Sequence, residues 1–211
     1  EISACLVGSE MCIRDRYEDE HLLVVKKPFG MESQRGKSFA MDQESLLRGY
    51  LSSKTKTDNP YLAVVHRLDR PVAGVMVYAK TKKAAADLSA QLQTENFSKK
   101  YEAVVSGIVP ACEGRLEDYL TADKRTGTTS VSSKADPLAK KAVLTWKEIA
   151  REEVKSGEIL LPYASNPSPE GGWHFLSIVL ETGRHHQIRA QLSHAGMPIA
   201  ADVRYGGAKV Y

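Results

Sequence analysis

His66, Arg67, Asp69 and Arg70 are crowded around a single Leu68 in the stretch VVHRLDRPVAGVMVYAK, residues 64–80. Apolar runs bracket this polar knot, Val64 and Val65 before it and residues 75–79 after it, with Pro71 and Gly74 as turn residues between. Positive neighbours favour the charged form of a carboxylate. A charged, oriented carboxylate can serve as a nucleophile or a base. The plainer reading is a solvated turn in which Asp69 caps a backbone amide. Spacing alone leaves both readings open.

Two further stretches carry chemistry. In ETGRHHQIRAQLSHAG, residues 181–196, Arg184 falls at a strand-to-helix junction and Arg189 lies about a turn and a half further on. Helix N-terminal amides with two guanidiniums can bind phosphate or carboxylate; a charged, solvated helix face is the alternative. His185, His186 and His194 lack HxxxH spacing and an acidic companion, so no metal is expected. In FSKKYEAVVSG, residues 97–107, Lys99 and Lys100 precede Tyr101 at the start of a strand. Cations beside an aromatic ring suit nucleic acid, where charge holds the backbone and the ring stacks on a base. A half-buried strand tyrosine is the competing reading.

The elements that must position these residues can be read from periodicity. Residues 21–26 form an apolar strand closed by Pro28 and Gly30, and residues 41–54 show helical spacing of Leu46, Leu47, Tyr50 and Leu51. Strands are expected at 61–65 and 74–79, on either side of the knot. Thr81 then caps a helix with Ala84, Ala85, Leu88 and Leu92 on one face. Further strands are expected at 101–105, 140–149, 158–161 and 173–180, a loop at 165–172, and a helix over 185–194 ended by Gly196 and Pro198. Residues 112–172 otherwise look irregular. The sum is an α+β fold, a mixed and largely antiparallel sheet core with flanking helices, without internal repeats.

Composition sets outer bounds. The chain has 211 residues, 42% hydrophobic and 26% charged, with net charge +3. That permits an anionic partner without demanding one. No apolar run approaches the ~20 residues of a membrane helix, and a cytoplasmic protein is the expectation. Cys5, Cys12 and Cys112 form no CxxC pair, so neither a zinc knuckle nor a disulfide framework is indicated. Residues 1–16 read as a foreign or disordered leader, and residues 17–211 as one domain.

Taken together, YEDEHLLVVKKPFGM, VHRLDRPVAGVMVYAKT, KKYEAVVSG and TGRHHQIRAQLSHAGMPIAADVRYGG resemble, in order, the motifs of the RluA-type family of RNA pseudouridine synthases. The resemblance runs from Tyr17 to Tyr211. Many members carry Thr-Ser where this chain has Val72-Ala73, and Gly-Asp where it has Ala201-Asp202. The family usually continues with more sheet, so C-terminal strands are expected to be missing; no preceding S4-type domain is expected either.

The resemblance implies isomerisation of specific uridines in structured ribosomal or transfer RNA: the C1′–N1 bond breaks, the uracil turns and rejoins through C5. It implies no cofactor, no metal and no membrane, and a monomer is expected. Asp69 would be the essential carboxylate, paired with Arg189. Tyr101 would stack on the extruded uracil and move a proton, and Arg67 would help displace the nucleotide. His66, Arg184, Lys99 and Lys100 would contact RNA, as could Lys82-Lys83, Lys124-Arg125 and Lys140-Lys141. His186 and Gln187 would shape the junction rather than do chemistry. The alternative is an RNA-binding protein of this fold without activity. A protein kinase is excluded by Leu68 inside HRLD and by the lack of a DFG triplet, and a glycosidase by the lack of a second motif carboxylate.

Overall fold

Leu22–Lys27 (β2) alternates in burial, with Leu23, Val25 and Lys27 directed inward and wholly buried. β4 (Gly74–Ala79) pairs with it antiparallel from Leu22 opposite Ala79 to Lys27 opposite Gly74. β1 (Asp15–Glu18) flanks β2, and β3 (Ala63–Val64) flanks β4, giving a four-stranded antiparallel sheet in the order β1-β2-β4-β3. These positions come from a computed structural model that describes residues 15–36, 41–94, 97–150, 153 and 172–207. The chain divides between Phe97 and Ser98 into two compact units, and β1 begins at Asp15.

In the first unit α1 (Gln43–Thr55) starts at Asp42, whose carboxylate accepts the Ser45 amide at 2.9 Å. The helix lays Leu47, Tyr50 and Leu51 against Leu23, Val25, Leu62, Met76 and Tyr78. α2 (Lys82–Gln91) starts at Thr81, whose hydroxyl accepts the Ala84 amide at 3.2 Å. Ala84, Ala85, Leu88 and Leu92 are its less exposed face, as their spacing predicts, but none is fully buried.

Glu18 ties three elements of this unit. Its carboxylate accepts from the Tyr50 hydroxyl and the Lys54 ammonium, each at 2.8 Å, and from the Lys80 ammonium at 2.7 Å. Burial pushes this carboxyl up, but the bonds from Lys54, Lys80 and Tyr50 outweigh it and bring the pKa down to about 2. A carboxyl lowered by folding stabilises the fold above its unfolded pKa and loses that contribution as pH falls through the folded value. Unfolding in urea at a series of pH values is therefore expected to show this unit losing stability from about pH 4.5 down to about pH 2. The loss is on the order of 2–3 kcal/mol, and Glu18→Gln should lack most of it. Equal pH dependence in the parent and Glu18→Gln would refute this role.

The second unit is a five-stranded antiparallel sheet in the order β5-β9-β8-β6-β7. The strands are β5 (Lys99–Ser106), β6 (Glu113–Asp123), β7 (Thr128–Ser132), β8 (Lys140–Glu148) and β9 (Trp173–Leu180). β6 and β7 fall in the stretch that reads as irregular. The strand expected at 158–161 lies outside the described residues, as does nearly all of the loop at 165–172. α3 (Gln187–His194) packs Leu192 and Ile188 on Val105, Leu144, Trp146, Leu176 and Ile178. The chain after α3 returns to the sheet edge, where Pro198 and Ala200 hydrogen-bond to Ser106 and Val104 of β5. A mixed, mainly antiparallel α+β architecture is thus what the chain forms.

Candidate active site

The polar knot is a loop of the first unit, and its backbone is fixed from several directions. β3 ends after two residues; beyond it, His66 Nε2 accepts the Val77 amide of β4 at 3.0 Å. That bond ties His66 to β4 at the entrance of the loop. Leu68 turns its side chain onto the core of the unit. A side chain at Gly74 would stand 3.1 Å from Leu68 Cδ1, so glycine leaves room for that packing. Ser33 Oγ donates to the Leu68 carbonyl at 2.6 Å and accepts the Leu68 amide at 3.1 Å. The Asp69 carbonyl accepts the Val72 amide at 2.9 Å, and the Arg70 carbonyl accepts the Gly30 amide at 3.0 Å. Asp69 is half-buried, while Arg67 and Arg70 are exposed. Arg70 Nε donates back to the Gly30 carbonyl at 3.0 Å.

Beneath this loop lies Lys27. Its ammonium donates to the carbonyls of Met31 at 2.7 Å, Pro28 at 3.1 Å and Arg70 at 3.3 Å. Burial lowers its pKa to about 8, and the negative charge of Asp69 opposes the fall. Hydrogen bonding to three carbonyls is how a buried ammonium is tolerated.

The second unit carries Tyr101, Arg189, Arg184, Lys99 and Lys100. Tyr101, on β5, packs against the same apolar cluster as Ile188 of α3, so the unit brings Tyr101 to the face covered by the helix that bears Arg189. Arg189 is held by a two-point fork: Nε donates to Asp202 Oδ2 at 2.6 Å and Nη2 to Asp202 Oδ1 at 2.8 Å. The pair is 12% and 10% exposed. The guanidinium lies 4.6 Å from the centre of the Tyr205 ring. The Tyr205 hydroxyl accepts the Thr129 amide at 2.8 Å and lies 2.8 Å from His186 Nδ1. Asp202 and Tyr205 reach these places through a tight turn; a side chain at Gly207 would run into the Ile199 carbonyl.

Gln187 braces the strand-to-helix junction, as expected of it. Its Oε1 accepts from the Arg184 amide and the Thr182 hydroxyl at 2.9 Å each, and its Nε2 donates to the Val143 carbonyl at 3.0 Å. Arg184 is exposed and its Nε donates to the Lys141 carbonyl at 2.9 Å. Arg184 and Arg189 thus bond to different groups, the Lys141 carbonyl and the Asp202 carboxylate. Lys100 is exposed and Lys99 half-buried at the start of β5. His185 and His186 stack with ring centres 3.8 Å apart, His185 also bonding to Thr129. Among the described residues no group of three or more His, Cys, Asp or Glu is gathered as a metal would use.

Ser33, Lys27, Asp202 and Tyr205 carry structural work around the candidate residues that sequence reasoning did not assign. Lys27 had a signal: it falls in phase with Leu23 and Val25 on a strand of period two. Asp69 belongs to the first unit, and Arg189 and Tyr101 to the second.

Residues 21–194 match the family described as RNA pseudouridylate synthase. The chain is 34% identical over 192 residues to a ribosomal large subunit pseudouridine synthase D of Pseudomonas aeruginosa, covering 90% of this chain and 52% of that one. It is 29% identical over 190 residues to a tRNA pseudouridine synthase C of Pectobacterium carotovorum, covering 90% of this chain and 47% of that one. The chain thus spans about half the length of these curated relatives. A solved human structure, RNA pseudouridylate synthase domain containing 1, superposes with a TM-score of 0.69 at 18% identity, over 97% of this chain and 74% of that one. At that identity the likeness speaks for the fold. No helix among the described residues is long and apolar enough to cross a membrane.

Proposed function

Because the chain belongs to the RNA pseudouridylate synthase family, we propose that it isomerises uridine to pseudouridine in structured RNA, with Asp69 as the catalytic carboxylate. The observation that carries this reading is the half-buried Asp69 on a loop whose neighbours Leu68 and Arg70 are pinned by Ser33, Gly30 and Lys27. A nucleophile or base gains most from such fixed placement, since orientation supplies a large part of an enzyme's rate. In this proposal the task of aiming Asp69 falls to Arg189, and Tyr101 stacks on the extruded uracil. Arg67 displaces the base, and Arg184, Lys99 and Lys100 hold phosphates. The reaction is an isomerisation: the C1′–N1 bond breaks, C1′–C5 forms, the C5 proton is lost to solvent and N1 takes up a proton in its place. No redox partner or group donor enters that balance. Ribosomal and transfer RNA are the substrate classes that the curated relatives' names supply. Action in the cytoplasm, as a monomer and without cofactor or metal, belongs to the same proposal.

Loss of the C5 hydrogen gives the test. Structured RNA carrying 5-tritiated uridine should release tritium when incubated with the protein in EDTA, and the modified RNA should contain pseudouridine. RNA that binds and releases nothing would point instead to an RNA-binding protein without turnover. Release that requires a divalent ion, even with prefolded RNA, would refute the metal-free proposal.

A further inference from the structure

We propose that Ser33 is a positioning residue for Asp69, acting through the backbone of Leu68; this rests on the reading of Asp69 as the catalytic carboxylate. The geometry is specific. Ser33 is 5% exposed and sits thirty-five residues before Leu68. One hydroxyl serves both polar backbone groups of the residue before Asp69, donating to its carbonyl and accepting its amide. A strand partner would do this with two backbone groups; here a single side chain does it at a point where β3 has already ended. Buried backbone groups must be satisfied somewhere, and at Leu68 both are satisfied through Ser33.

Ser33 can hold Leu68 in place because it is held itself. Its carbonyl lies 3.3 Å from the hydroxyl of Tyr78, a fully buried residue of β4. The Glu32 carbonyl before it accepts the Gln43 amide at the start of α1, at 2.9 Å. On the far side of Asp69, the Arg70 carbonyl takes the Gly30 amide and the Lys27 ammonium. Leu68 and Arg70 are thus both fastened to one segment, residues 27–33, and the Cα–Cβ direction of Asp69 follows from theirs. Removing the Ser33 hydroxyl frees one of the two fastenings and leaves the core untouched.

A structural role alone would lower the melting temperature and leave folded protein fully active. A positioning role lowers turnover in protein that is folded and binds RNA. Ser33→Ala, Ser33→Thr and the parent should be compared well below all three melting temperatures, for single-turnover tritium release at saturating RNA and for RNA affinity. Ser33→Ala is expected to turn over about 10- to 100-fold more slowly, the scale of a small misplacement of a reacting group, with affinity unchanged. Ser33→Thr, which keeps the hydroxyl, should recover most of the rate. Amide exchange gives a readout independent of activity: the Leu68 amide should exchange at least about tenfold faster in Ser33→Ala, with the β4 amides unchanged. A Ser33→Ala protein that turns over like the parent overturns the proposal, as does an unchanged Leu68 exchange rate. If the parent turns over and Asp69→Asn does so equally well, the reading of Asp69 fails instead, and the exchange result alone still judges the link between Ser33 and Leu68.

Discussion

Asp69→Asn is expected to release no measurable tritium, a loss of at least about 10³-fold in single-turnover rate, the scale seen when the central reacting group of a site is removed. RNA affinity should change little. Most affinity in a protein of this kind comes from cations on phosphates, and it falls with salt. Asn has nearly the shape of Asp, and the loop is held through backbone groups: the Asp69 carbonyl on the Val72 amide, and Leu68 and Arg70 on residues 27–33. The variant should therefore fold with its loop in place, and its salt slope of binding should match the parent's. A second consequence can be read at Lys27. Its pKa is lowered to about 8 by burial, against the opposing charge of Asp69. For a lysine whose pKa is depressed on folding, stability rises as pH climbs from the folded value towards the unfolded one. Removing the charge of Asp69 moves the folded value lower still, so this rise should begin at lower pH in Asp69→Asn. Turnover within tenfold of the parent would remove Asp69 from the catalytic role. An unchanged onset of the rise would remove the electrostatic link to Lys27.

Much of the scaffold was legible because the signal is local. β4 and β9 begin and end where the alternation of apolar residues and their turn residues place them. The start of α2 follows from its side-chain cap, Thr81, as read; Asp42, which caps α1, lies inside the stretch read as helical and was not singled out. β6 was not legible for a physical reason. Glu113, Arg115, Glu117 and Asp118 give it the composition of a loop, and two of its charges are met from beyond it, Glu117 by Lys141 of β8 and Arg115 by Glu181 just past the end of β9. Its strand state comes from pairing with β8 and β7, which no window of the sequence contains. The candidate site divides the same way. Asp69 stands out by its neighbours in sequence, whereas Ser33 acts on Leu68 across thirty-five residues and Asp202 acts on Arg189 across thirteen. The motif around Asp202 and Tyr205 was visible; the fork and the ring stacking that give it a purpose exist only once the turn closes on α3.

That fork changes what a substitution of Arg189 can reveal. Arg189→Met is expected to lose both turnover and stability, because it strands the carboxylate of Asp202 in a site only 10% exposed. Breaking one side of a buried pair costs ~3–5 kcal/mol. The Tyr205 ring loses its cation as well. Arg189→Lys keeps the charge but not the planar two-point geometry, and should fall between the parent and Arg189→Met on both measures. A slow Arg189→Met protein is therefore ambiguous by itself: the turn carrying Asp202 and Tyr205 could be at fault. Removing the stranded charge separates the two causes. In the double variant Arg189→Met/Asp202→Leu both partners are apolar, and replacing a buried ion pair in this way is often neutral in stability or better. Melting temperature should then return most of the way to the parent's. If Arg189 acts on Asp69, turnover should stay as low as in Arg189→Met, because the guanidinium that aims the carboxylate is still missing. If turnover returns together with stability, the work of Arg189 ends at Asp202 and Tyr205, and the partner of Asp69 must be sought at Arg67 or Arg184.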